Sequence, residues 1–154
     1  MDKQIAGALD REAIKAFLKK QSTGTLALAA ENDSYAIPVA FTFDRETRDF
    51  YFRLGYGVES RKWKYIETTD RATFVVAAET ESGWKSVVAA GELEHRNTTE
   101  NLDRVTPTDA EHSDAEHERN IPFYHVFEAP SELLFTLARL RTDELTGVAE
   151  STDD

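Results

Sequence analysis

Apolar and polar residues alternate with a period of two through much of the chain, interrupted by two stretches of helical spacing. The first interruption, Leu9 to Lys20, reads as a helix. Asp10 stands as its N-cap, Glu12 lies in the first turn, and Ile14, Phe17 and Leu18 form one apolar stripe. Gly24 ends that region. Strands are predicted at Thr25–Ala30, Tyr35–Phe43, Asp49–Leu54, Ala72–Glu79 and Lys85–Glu94. Turns are predicted at Glu31–Ser34, Asp44–Arg48 and Glu81-Ser82-Gly83. Tyr35–Phe43 is the clearest strand: Tyr35, Ile37, Val39, Phe41 and Phe43 point one way, and Ala36, Pro38, Ala40 and Thr42 the other. Val58–Thr68 carries too many successive charges for a half-buried strand and is expected as a short helix. Asn97–Arg119 is polar and acidic, suited to one or two short helices with Thr98 as a cap. Phe123–Phe127 and Leu133–Leu145 return to strand composition, and the polar tail from Thr146 is expected to fray. Short strands at close spacing with turns between them predict an antiparallel barrel or sandwich decorated by helices.

A chain of 154 residues suits one domain, expected here over 1–147 with an acidic tail at 148–154. With no cysteine there is neither a disulfide nor a thiolate metal site. No apolar run approaches the roughly 18 residues of a membrane span, so a cytoplasmic location is expected. Acids outnumber bases 29 to 18, for a net charge of −11. Such a surface repels phosphate backbones and anionic membranes, so neither nucleic acid nor membrane is an expected partner. This acidity suits a halophilic, salt-adapted cytoplasm, in which dense carboxylates keep a protein hydrated. The alternative is an ordinary acidic mesophile protein. From Glu92 to Arg119 there are nine acids and three bases. Their mutual repulsion reaches about 30 Å at low ionic strength and about 3 Å in molar salt. The thermal midpoint is therefore expected to rise between about 0.1 and 2 M KCl, over which the screening length falls from about 10 Å to below about 3 Å; a flat or falling midpoint in a melting series would mark a merely acidic protein.

Three features carry candidate chemistry. The second face of Tyr35–Phe43 bears only small residues, so a flat ring, a packing helix or a subunit could approach its backbone, and Pro38 places that strand at an edge or bulge. Arg53, Arg61, Lys62 and Lys64 stand against Glu59 alone, a local +3 in an acidic chain. With Ser60 at a helix start they suit a phosphate; the alternative, commoner for basic triplets, is a solvated helix face paired with neighbouring acids. Trp84 and Ser86 share a strand face and could border a ring, although a Trp in that setting is more often core or interface. His112 and His117 are five apart, outside the spacing of a helical metal pair, so no metal is expected. No nucleophile elbow, Walker loop or dinucleotide fingerprint occurs.

In order and spacing, the chain resembles the pyridoxamine 5′-phosphate oxidase-like, FMN-binding split-barrel family. The segments that carry the resemblance are Gly24-Thr25-Leu26-Ala27-Leu28, Tyr35-Ala36-Ile37-Pro38-Val39, Phe50-Tyr51-Phe52-Arg53-Leu54-Gly55, Ser60-Arg61-Lys62 and Gly83 to Gly91, with Leu140-Arg141 and Leu145-Thr146-Gly147 further on. The resemblance implies a mainly β fold with helices, a six-stranded antiparallel split β-barrel. It implies a homodimer with two flavin sites between subunits. It also implies FMN as cofactor, with FAD, deazaflavin F420 or haem as the alternatives found on related folds. By the same resemblance Ser60, Arg61 and Lys62 match the phosphate segment, with Arg53 at the end of the strand leading to it. The backbone of Pro38, Val39 and Ala40 matches the strand edge beside the ring, and Ser86, near Trp84, a ring-proximal polar side chain. The implied activity is flavin-dependent oxidation or reduction of a small conjugated substrate; a non-catalytic flavin- or haem-binding sensor is the rival. The acidic end Ser-Thr-Asp-Asp lacks the Arg/Trp-rich substrate signature of true pyridoxamine phosphate oxidases, which argues against that specific activity.

Overall fold

The computed structural model describes residues 3–57, 61–97 and 133–153, with side chains described for 7–55, 64–95 and 136–150. In chain order the elements are β1 (Lys3–Ala8), α1 (Arg11–Lys19), β2 (Thr23–Ala30), β3 (Asp33–Phe43), β4 (Phe50–Gly57), α2 (Arg61–Thr68), β5 (Arg71–Thr80), β6 (Gly83–Asn97) and β7 (Leu133–Asp153). All ladders are antiparallel, in the order β1-β7-β4-β3-β2-β5-β6, and a further β7–β6 ladder closes β2 to β7 into a six-stranded barrel. β1 lies outside the ring on the far half of β7, from Lys3↔Asp153 to Ala8↔Val148.

Within the described residues the expected strands and helices occur, with boundaries moved by a few residues. Asp10 caps α1, its Oδ1 accepting from the Ala13 amide at 2.8 Å. Ile14, Phe17 and Leu18 are buried against the barrel. The β2–β3 turn tightens to Glu31-Asn32, with φ of 50° and 65°. Two left-handed residues in a row match the twist of the flanking strands. Thr69 pins the end of α2 to β2: its hydroxyl lies 2.5 Å from the Tyr65 carbonyl and 3.2 Å from both backbone groups of Ala29.

Two expectations need correction. β1 was not foreseen, because a six-residue segment with only one large apolar side chain, Ile5, shows little periodicity. The run from Thr146, expected to fray as a tail, is strand as far as Asp153. Its backbone pairs with β6 on one side and β1 on the other, so polar side chains do not prevent it from being ordered. The expected helices at Asn97–Arg119, with Thr98 as cap, and the expected strand at Phe123–Phe127 lie outside the described residues, apart from Asn97 at the end of β6.

The main core is one cluster inside the barrel, and Tyr51 and Leu137 form a second, small buried pair on the outer face of β4 and β7. Phe41, Phe50, Phe52 and Phe74 pack with centroids 4.8–6.5 Å apart among Leu26, Leu28, Val76, Val87 and Leu140. The β6–β7 seam slips by one residue at Gly91, where Ala90 faces Glu144 and Gly91 faces Thr142. This leaves Asp143 as the extra residue of a bulge. Arg71 on β5 grips it with two bonds of 2.7 and 3.0 Å. The side-chain bonds from Arg71 hold the Asp143 carboxyl below its ordinary value of 3.8, with the Arg71 charge acting in the same direction. A carboxyl lowered on folding stabilises the fold above its unfolded pKa and loses that contribution as pH falls through the folded value. The parent should therefore out-melt Asp143→Asn at neutral pH, and the gap should close on acidification below about pH 4. Both partners are half exposed, so the gap is expected to be small; a gap independent of pH would refute the assignment.

Candidate functional site

β3 and β4 stay paired over three residues only, Phe41↔Phe52 to Phe43↔Phe50. Beyond them β4 leaves for β7, pairing from Phe50↔Leu140 to Gly57↔Leu133. Among the described residues, no strand pairs with the Ala36–Ala40 part of β3 on that side. The barrel wall is thus split between β3 and β4, and α2 follows the far end of β4 at Arg61 and packs on β2 and β4. Tyr65 of α2 stacks on Tyr35, with centroids 5.1 Å apart, and its hydroxyl bonds Asp33, tying the helix to the start of β3.

Pro38 and Ala40 lie on the outer face of β3, Pro38 exposed and Ala40 buried, while the Val39 side chain is in the core. Pro38 has no N–H to offer a neighbouring strand, in keeping with its place along the unpaired edge. Arg53 projects to the outer face of β4 opposite Leu137, with its Nε beneath the surface. Nearby on the same face, Asp49 is buried and accepts from Arg139 at 2.6 and 3.0 Å and from the Thr142 amide at 3.1 Å. The Arg139 guanidinium sits 5.7 Å from the Tyr51 ring centre. Ser60 lies outside the described residues; Arg61 and Lys62 open α2, and their side chains are not among those described.

Trp84 and Ser86 occupy the outer face of β6, with Trp84 51% exposed. Cross-strand partners share a face. The ladders therefore align Pro38, Thr25, Val75, Val88 and Thr146 in one row across five strands. A second row runs through Ala36, Ala27, Thr73, Ala90 and Glu144, and a third through Ala77, Ser86 and Val148. Glu144, exposed on β7 at the end of the second row, is the one charged residue in these three rows, and Val88 and Val148 are 40% and 38% exposed. Sequence reading found the β3 part of this face and, on β6, Ser86 beside Trp84. The rest was visible as the second parity of β2, β5 and β6, whose Ala, Thr, Ser and Val residues look unremarkable one strand at a time. The same rows separate the expected site residues. Pro38 is three strand spacings from Val88, about 14 Å, so within one protomer the structure does not bring Trp84 and Ser86 to the β3 edge.

Among the described residues no three His, Asp or Glu side chains are placed to hold a metal ion, and His95 is exposed. No helix there is long and apolar enough to cross a membrane.

The family model for pyridoxamine 5′-phosphate oxidase matches residues 10–149. The chain belongs to this family. No curated protein matches it. Solved structures similar to it include an FAD-binding protein from Mesorhizobium loti, 18% identical over 97% of this chain and 99% of that one, TM-score 0.64. An FAD-binding protein from Mycobacterium smegmatis is 15% identical over 96% and 100%, TM-score 0.62. A flavocytochrome from Azotobacter vinelandii is 17% identical over 97% and 72%, TM-score 0.56. At these identities the likeness is one of fold: the split barrel, here with β1 added as a seventh strand.

Proposed function

We propose that the protein binds a flavin, FMN, in the split between β3 and β4 and acts as a flavin-dependent oxidoreductase on a small conjugated substrate. The observation that carries this reading is the backbone edge Ala36–Ala40, to which no β4 residue pairs among the described residues. It is flanked by small residues and lies beside the split that leads to the start of α2. A flat heterocycle with its own donors and acceptors suits such an edge, and a helix start with Ser60, Arg61 and Lys62 suits a phosphate. Arg53, next along β4, adds a cation. When bound, the flavin supplies the hydride or electron transfer; the protein binds it, orients it and keeps water from one side. No general acid or base is needed from the chain, in keeping with the small and aliphatic residues around the edge.

The protein is proposed to work as a homodimer through its largely uncharged outer face. The separation of about 14 Å between β3 and β6 across the sheet of one protomer then becomes an argument for a site shared by two subunits, with Trp84 and Ser86 coming from the partner. The names of the Mesorhizobium and Mycobacterium proteins make FAD the second candidate. Equilibrium titration with FMN and FAD separately distinguishes them. Replacing Arg61 and Lys62 together by Ala removes charge-assisted bonds of about 1.5–3 kcal/mol each. FMN affinity is expected to fall at least about tenfold. Unchanged FMN binding by that variant would refute the phosphate seat, and flavin-loaded protein that turns over no nicotinamide donor would leave a flavin-binding protein without this activity.

A further inference from the structure

We propose a second small-molecule site, for an organic anion with an apolar body, in the cleft between α1 and the end of β3. A cavity of about 310 Å³ opens there, at the low end of small-ligand sites. Leu18, Phe41 and Phe43 supply its apolar lining, and Lys15, Lys19 and Arg45 its cations. Three positive charges around one cavity are unexpected in a chain of net charge −11. Glu12 is the carboxylate nearest to two of them, 3.8 Å from Lys15 Nζ and 4.0 Å from Arg45 Nη2, and it is 76% exposed. Contacts so long and so solvated hold little energy, so a ligand carboxylate can displace Glu12. Among the described residues Lys19 has no ion-pair partner. The apolar lining selects against small inorganic anions, and the cations select against neutral rings. The cleft lies where β3 and β4 are still paired, at the opposite end of β4 from the one that α2 follows, and is independent of the flavin reading.

The test uses the full chain, with and without saturating FMN, titrated with benzoate, 2-naphthoate and the neutral 2-naphthamide, and followed by amide chemical shifts. Saturable shifts are expected at residues 15–21 and 41–45 with at least one carboxylate below about 1 mM. The neutral amide should bind at least about tenfold more weakly. Lys19→Gln with Arg45→Gln should weaken binding by a similar factor, while Glu12→Gln should tighten it; these side chains lie at the surface, and an unchanged melt confirms that each variant folds. The proposal is overturned if neither carboxylate saturates, if acid and amide bind alike, if the double variant binds like the parent, if FMN competes, or if the shifts centre on Trp84–Val88.

Discussion

Gly91→Ala is expected to be among the most damaging single-methyl changes in this protein. A Cβ at Gly91 would lie 1.9 Å from the Arg141 carbonyl oxygen and 2.7 Å from its carbon. The obstacle is backbone of the facing strand, which no rotamer change relieves. The strands that would have to part are β6 and β7, whose ladder closes the barrel, and the bulge that Arg71 fastens through Asp143 sits at the same place. Overpacking in a well-packed interior costs about 1–3 kcal/mol, and a clash between backbones should reach or exceed the top of that range. A loss of about 3 kcal/mol lowers the midpoint of a chain this long by roughly 6–12 °C. Gly7→Ala is the control, because a Cβ there meets nothing within 4 Å. A Gly91→Ala melt within about 2 °C of the parent, less than 1 kcal/mol, would show that the seam yields and that the close approach is not required.

A single carboxylate at the centre of the largely uncharged face should separate the dimer. Val88 lies between Val75 and Thr146 in the middle of the row that starts at Pro38, and it is 40% exposed. Val88→Glu therefore adds a solvated charge to the protomer at little expense. In a two-fold dimer the same change occurs on both subunits, and each carboxylate must leave water without a partner among alanines, threonines and valines. The dimer dissociation constant is expected to rise at least about 100-fold, a change of roughly 2.7 kcal/mol. Flavin affinity should fall with it, because the proposed site needs both subunits. Light scattering of the parent should give about twice 17.4 kDa, and of the variant the monomer, with an unchanged far-ultraviolet spectrum. A variant that remains dimeric at parental affinity would place the interface elsewhere. A monomer that still binds flavin at parental affinity would confine the flavin site to one subunit.

These two experiments probe different parts of one construction. β4 follows β7, which also closes on β6, and among the described residues that departure leaves Ala36–Ala40 of β3 without pairing to β4.

Local chemistry made much of this protein legible. The period-two runs, the Asp10 cap and the stripe Ile14, Phe17 and Leu18 specify their elements through neighbours a few residues away, and the alternation in Tyr35–Phe43 matches the buried and exposed faces of β3. The order of short motifs from Gly24 to Gly147 was enough to indicate the family, which the model match over 10–149 establishes. Tertiary structure alone decided the rest, because the deciding contacts join residues far apart in the chain. Strand status for 146–153 depends on hydrogen bonds from β1 and β6, which side-chain hydropathy does not encode. The necessity of Gly91 depends on Arg141, fifty residues later. The largely uncharged face is assembled from alternate positions of five strands, and the cationic cleft from a helix face and a turn. Each piece is ordinary in sequence and becomes a surface only when the strand order and register set it beside the others.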